Sequence, residues 1–196
     1  NQVTKVRFEG GKARKPEFLD LEPLPPENPA DGMALATPFA VEVSGDDSTL
    51  FVSAAGSDKV FSMDAKSGKV MGRVKVGAVP RGIALDPGKA GKPSKAWVLN
   101  AVDNSVSILD VSNPRSLRVV RTIPLEDPTH FEFKAGRIAF NQADFSSTKS
   151  FSCASCHPDG HTDQLLWVLK TPIVTGGNQI MPRSTMPVRG LRDTAP

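Results

Sequence analysis

Thr37-Pro38-Phe39-Ala40-Val41 returns 42 positions later as Val79-Pro80-Arg81-Gly82-Ile83. Leu50-Phe51-Val52-Ser53 returns as Ala96-Trp97-Val98-Leu99, now 46 positions on. Asp58-Lys59-Val60-Phe61-Ser62-Met63-Asp64 returns as Asn104-Ser105-Val106-Ser107-Ile108-Leu109-Asp110 at the same spacing of 46. Lys69–Val76 matches Leu117–Ile123 loosely. The change in spacing is a single four-residue insertion, most simply within the Gly/Lys/Pro loop 87–94. Each unit holds short runs of alternating apolar residues, Phe39–Val43, Thr49–Ala54, Lys59–Met63 and Val70–Val76, parted by Gly, Asp and Ser turns. Alternation of period two is the mark of half-buried strands. Four short strands recurring at about 42 residues are the signature of a β-propeller blade; a plain β-sandwich is the competing reading.

Outward from this repeat, residues 1–36 are polar and rich in proline, with Pro16, Pro23, Pro25, Pro26 and Pro29 close together. Proline fixes φ and removes a donor, so no regular helix is expected there. The segment reads as an extended arm, with Val3–Phe8 as a strand remnant. Residues 37–123 hold the blades. Strand alternation stops at Pro124, and Phe131, Ile138, Ala139 and Phe140 are spaced to line one helix face, with Lys134, Arg137 and Asn141 on the other. Phe133–Asn141 is therefore predicted to be helical. Two blades cannot close a ring, and an open pair exposes strand edges. Either blades precede Asn1 or another chain completes the ring; with no initiator Met and no leader, a fragment or processed subunit is expected.

The chain has 196 residues, 39% hydrophobic and 23% charged, with net charge +3 and a mean hydropathy of −0.22. These values describe a globular chain rather than a disordered one. No apolar run approaches the ~18 residues of a spanning helix. Although the pI is about 9.0, the charges are interleaved and no basic block stands out, so a nucleic-acid footprint is not supported. Two cysteines, Cys153 and Cys156, exclude a disulfide framework.

Those two cysteines stand in Phe151-Ser152-Cys153-Ala154-Ser155-Cys156-His157, the C-x-x-C-H pattern of c-type haem attachment. Two thiols three residues apart can each form a thioether to one of two neighbouring vinyl groups. The following imidazole then projects beneath the porphyrin to grip its iron. A redox dithiol would want a βαβ setting that is missing here. A structural zinc would need four ligands, and only Cys153, Cys156, His157 and His161 are at hand locally. One covalent haem c is the expected cofactor. His161, one helical turn after His157, would lie on the same side of the ring and is a poor second ligand. Met186 is the first candidate for the opposite face, with Met181 and His130 less favoured. Arg183, Arg189 and Arg192 are candidates to pair with haem propionates, and Trp167 to pack against the ring. Asp159 and Asp163 read as a turn acid and a helix N-terminal acid.

The repeat is similar to the bacterial YVTN-type repeats. The haem segment, from Cys153 through Pro158, Asp159, Gly160, Asp163 and Trp167 to Pro182-Arg183-Ser184-Thr185-Met186-Pro187-Val188-Arg189-Gly190-Leu191-Arg192-Asp193-Thr194-Ala195-Pro196, resembles the bacterial di-haem cytochrome c peroxidase/MauG-like family, in the form fused to a YVTN-type β-propeller. Gly136-Arg137-Ile138-Ala139-Phe140 is similar to that family's helix before its first haem motif. The resemblance covers about residues 37–196. It implies a mixed fold: about two four-stranded propeller blades, an incomplete ring, followed by a mostly α-helical c-type cytochrome domain over 124–196. Family members usually carry two haems, and the second C-x-x-C-H is not in this chain.

The functional expectation is a c-type haem protein passing single electrons, with the propeller segment binding a partner: a redox protein or further haem subunit. The alternatives are one part of a peroxidase or MauG-like oxidoreductase, and a binding scaffold in which the haem is secondary. Covalent haem attachment takes place outside the cytoplasm, so a periplasmic or extracytoplasmic location is expected.

Overall fold

A computed structural model describes residues 1–24, 27–172 and 178–190, the side chains of 168–181 excepted. The described residues form fourteen strands and two α-helices, and they divide into two compact units, 1–152 and 153–196.

In unit 1, four strands, β5 (Pro38–Val43), β6 (Thr49–Ala54), β7 (Lys59–Asp64) and β8 (Val70–Lys75), make an antiparallel meander. A second meander follows from β9 (Pro80–Leu85), β10 (Lys95–Asn100), β11 (Ser105–Asp110) and β12 (Arg118–Pro124). The turn between the first two strands runs over 44–48 in the first sheet and 86–94 in the second, four residues longer. Gly91, at φ +75°, lets this longer loop fold back onto the first sheet: Asp46 N donates to Gly91 O at 3.2 Å. The turns at the opposite end repeat closely. Ala55 N donates to Thr37 O and Ala101 N to Val79 O, at 2.9 and 3.0 Å, and Thr37 and Val79 both have positive φ.

Strand alternation decides which side chains meet. Phe51 and Val60 of the first sheet pack with Ile83, Ala96, Val98, Leu109, Val111 and Leu117 of the second. The opposite face of the first sheet, Val52, Ala54, Phe61 and Met63, is covered by Leu21 and Leu35, with Val3 and Leu19 alongside. With both faces covered, β6 and β7 are almost wholly buried, whereas β10 alternates between buried and exposed. The covering residues come from the N-terminal segment. Read from sequence as an arm, it instead pairs β1 (Gln2–Lys5) with β4 (Glu17–Asp20), and the short β2 (Phe8–Glu9) with β3 (Lys12–Ala13).

Helix α1 (Phe131–Asn141) follows the second sheet. Ile138 packs against Ala55, Ala78, Val79 and Val102. Lys134 reaches Asp103 O at 2.9 Å and Asp127 at 3.1 Å. Its expected apolar face is only partly used: Phe131 is 71% exposed.

Unit 2 corrects the expected fold class. Among the described residues the expected mostly α-helical cytochrome domain is absent. Its helical content among the described residues is the single turn α2 (Cys153–Cys156) and a 3-10 turn over 158–160. The chain then runs into β13 (Leu166–Pro172) and β14 (Asn178–Ser184), paired antiparallel from Leu166↔Ser184 to Pro172↔Asn178. The physical reason is local. Pro158, Pro172, Pro182 and Pro187 interrupt any helix across this stretch, and Leu166-Trp167-Val168-Leu169 favours a strand.

Candidate functional site around Cys153, Cys156 and His157

The C-x-x-C-H residues stand on one turn. His157 N donates to Cys153 O at 3.0 Å, which closes α2, and Asp163 N donates to Cys156 O at 3.1 Å. Between them the chain reverses through Pro158, Asp159 and Gly160. Asp159 and Gly160 have φ of 52° and 76°, and a Cβ at Gly160 would come within 3.2 Å of Arg189 Cγ. This reversal carries His161 back over the imidazole, so that His157 Nδ1 lies 3.3 Å from His161 O. A carbonyl only accepts, so in this bond Nδ1 carries the proton. The lone pair of the neutral ring is then on Nε2, the arrangement that second-shell partners impose on metal-binding histidines. His157 is half-buried.

The two thiols are not bridged to each other; Cys153 is exposed and Cys156 half-buried. Burial, with Asp163 and Cys153 nearby, pushes the Cys156 thiol up. A raised thiol is the opposite of the lowered one that marks a redox or nucleophilic cysteine. Among the described residues no three His, Cys, Asp or Glu side chains stand together to hold a metal ion.

The surrounding residues take other places than the haem reading expects. Trp167 lies in β13, 40% exposed, and its Nε1 donates to Asp163 Oδ2 at 2.9 Å. Burial raises the Asp163 carboxyl, but the Leu165 N–H, Thr185 and Trp167 outweigh it and leave the pKa lowered. Arg189 donates from Nε to Asp159 O at 2.9 Å, and Val188 N to Gly160 O at the same distance, so the 185–190 segment is tied to the turn after His157. Arg183 lies in β14, its guanidinium 3.4 Å from Pro182 O. Met186 is 71% exposed. The Met181 side chain and Arg192 lie outside the described residues. His130 belongs to unit 1, stacked beside Phe131 at 4.7 Å between ring centroids. Sequence reading passed over the His161 carbonyl; the Pro158–Gly160 turn was the available signal, because such a turn returns the chain within one residue of the ring.

No protein-family model matches the chain, and no curated protein matches it. Solved structures do. The Cps50 (Swd1) β-propeller domain of Myceliophteria thermophila shares 14% identity over 64% of this chain and 41% of its own, with a TM-score of 0.50. The Pseudomonas aeruginosa periplasmic gluconolactonase PpgL shares 22% over 66% of this chain and 35% of its own, with a TM-score of 0.47. Hydrazine synthase of Kuenenia stuttgartiensis shares 33% over 46% of this chain and 24% of its own, with a TM-score of 0.40. The chain thus spans about a quarter to two-fifths of the length of these structures. The first likeness establishes a β-propeller fold, with the two four-stranded sheets of unit 1 as its blades. The resemblance to the cytochrome c peroxidase/MauG-like family is overturned. The Cps50 (Swd1) domain that carries the likeness is a β-propeller, and among the described residues a β-hairpin stands where that family implies a helical cytochrome domain.

Proposed function

We propose that the chain carries one haem c, which Cys153 and Cys156 would hold through thioether bonds and His157 Nε2 would ligate, and that it passes single electrons. The observation that supports this is the joint geometry of the motif: two unbridged thiols on one helical turn, followed by an imidazole whose Nδ1 is claimed by the His161 carbonyl. The haem, when bound, supplies the one-electron couple. The chain supplies the tether and the ring orientation. The Nδ1–H···O bond also raises the basicity of Nε2, which favours the oxidised state of a bound metal. The partner is a redox protein or a further haem subunit, and the location is extracytoplasmic, since haem is attached covalently there.

The test is expression with a haem-maturation system, followed by intact mass and a pyridine haemochrome spectrum. One covalent haem is expected, lost in the double variant Cys153→Ala/Cys156→Ala. His157→Ala should keep the covalent mass but shift the Soret and α/β bands, because the iron loses this imidazole. An intact mass equal to the bare polypeptide after maturation overturns the reading.

A further inference from the structure

Three strand pairs in unit 1 close at their open ends with the same bond. Val76 N, just after β8, donates to Asp58 O, just before β7, at 2.8 Å; Leu125 N, just after β12, donates to Asn104 O, just before β11, at 2.8 Å. Leu21 N, just after β4, donates to Asn1 O, just before β1, at 3.1 Å. The side chains agree. Asp58 Oδ1 accepts from Val79 N at 2.9 Å, and Asn1 Oδ1 accepts from Thr37 N at 3.1 Å, with Thr37 and Val79 at matching places ahead of β5 and β9. The register agrees too: Gln2↔Asp20 and Val3↔Leu19 stand where Lys59↔Lys75 and Val60↔Val74 stand. So does the packing. Val3, Leu19 and Leu21 lie on Val52 and Met63 of the first blade, as Val60, Val74 and Val76 lie on Val98 and Leu109 of the second.

We infer that β1 and β4 are the third and fourth strands of a further blade stacked on the first, and that the free edge of β1 is the docking edge for that blade's inner β-hairpin. In both complete blades the edge equivalent to this one is filled: β7 pairs with β6, and β11 with β10. No described strand pairs with that edge of β1. The occupant is a two-stranded hairpin of the β5–β6 kind, laid antiparallel along β1. This chain's own two such hairpins are already engaged. The bonded pair Asn1↔Leu21 fixes which amides are available: in an antiparallel ladder bonded pairs alternate, so Val3 and Lys5 face β4 while the N–H groups of Gln2 and Thr4 face the open edge.

The experiment adds a synthetic peptide of residues 37–54, the β5–β6 hairpin of the first blade, to the full chain and follows amide exchange at residues 2–5. In the free chain, Val3 and Lys5 are expected to be protected and Gln2 and Thr4 fast. Saturating peptide should slow Gln2 and Thr4 at least tenfold with 1:1 stoichiometry. Thr4→Pro removes a donor on the open edge and leaves the β1–β4 ladder intact, so it should abolish the effect; Gln2→Pro serves as the second variant. The inference is overturned by unchanged exchange at saturation, by Gln2 and Thr4 already protected in the lone monomer, by unprotected Val3 and Lys5, or by a dimer formed through β1 that the peptide does not dissociate.

Discussion

Asp58 accepts the Val79 N–H at 2.9 Å and the Gln142 side-chain amide at 3.2 Å from a turn where it is only 6% exposed. Burial raises its pKa; the Val79 N–H and Lys75 oppose this, while Asp103 and Asp144 reinforce it, and the net shift is upward. The sign follows from linkage. Between the unfolded value of 3.8 and the higher folded one, the native state holds a proton that the unfolded chain has lost, so stability falls as pH rises through that window. Asp58→Asn keeps an acceptor for Val79, puts a donor where Oδ2 accepted from Gln142, whose amide must turn its oxygen to receive it, and matches Asn1 and Asn104, which likewise stand just before β1 and β11. It should melt higher than the parent near neutral pH, by less than about 1 kcal/mol after solvent screening, and the gap should close below about pH 4. Thermal melts of the pair across pH check it; a constant gap contradicts it. Gly91 is the second residue on which the blades depend. A Cβ there would meet Asp46 N at 2.5 Å, and φ is +75°. Gly91→Ala should cost about 1–2 kcal/mol, read in a denaturant melt of unit 1.

At the scale of elements, the blade strands were legible because each carries its own signal. Thr49–Ala54 and Lys59–Met63 combine β-branched or aromatic residues with flanking Gly, Asp and Ser, and the 42-to-46 slip located the longer loop. Of the N-terminal pair, the alternation of Val3–Phe8 hinted at β1, while β4 and the pairing were not legible. β1 and β4 are four residues each, separated by a charged β2–β3 hairpin, and five prolines nearby read as an arm. What identifies them is a set of hydrogen bonds, and no periodicity in so short a run reports those. The β13–β14 hairpin was missed for a different reason. A helical domain was carried over with a family resemblance, although Pro172 and Pro182 argued against it residue by residue. C-x-x-C-H itself was legible as a motif, while the His161 carbonyl behind it depends on a positive φ at Asp159 that a non-Gly residue seldom advertises. Helix α1 shows how little local propensity decides. None of its residues is fully buried and its N-cap makes no side-chain bond, so its place rests on Ile138 and on Lys134 held between Asp103 O and Asp127. The Thr129 backbone and side chain, then Lys134, hold the Asp127 carboxyl down at about 2. A depressed pKa contributes stability that is present above the unfolded value and lost as pH falls through about 2. Protection factors of the α1 amides, corrected for intrinsic exchange, should therefore fall between about pH 4 and about pH 2, and in Asp127→Asn they should be low already at neutral pH. Equal α1 exchange in parent and variant at neutral pH would show that the helix is held elsewhere.

For the whole molecule, the two units differ in what can stabilise them. Unit 1 buries three apolar clusters, one between its two four-stranded sheets, one under the N-terminal segment and one under α1, enough for a cooperative core. Unit 2 spans 153–196, close to the ~40-residue size below which domains usually need a disulfide, a metal or a partner. Its described apolar side chains are largely exposed, among them Leu165 at 53%, Leu166 at 67% and Met186 at 71%. A porphyrin tethered at Cys153 and Cys156 would offer apolar surface to these exposed side chains, so cofactor binding and folding should be coupled there. Calorimetry of the haem-free chain should then show one cooperative transition, assignable to unit 1 by amide exchange, with residues 153–167 exchanging freely. Matured protein should add protection in 153–167 while leaving the protection of β6, β7 and β11 unchanged. Protection of 153–167 in the haem-free chain equal to that of the blades would mean that the β13–β14 hairpin and its turns suffice alone. Haem would then be a passenger on a preformed unit rather than the element that completes it.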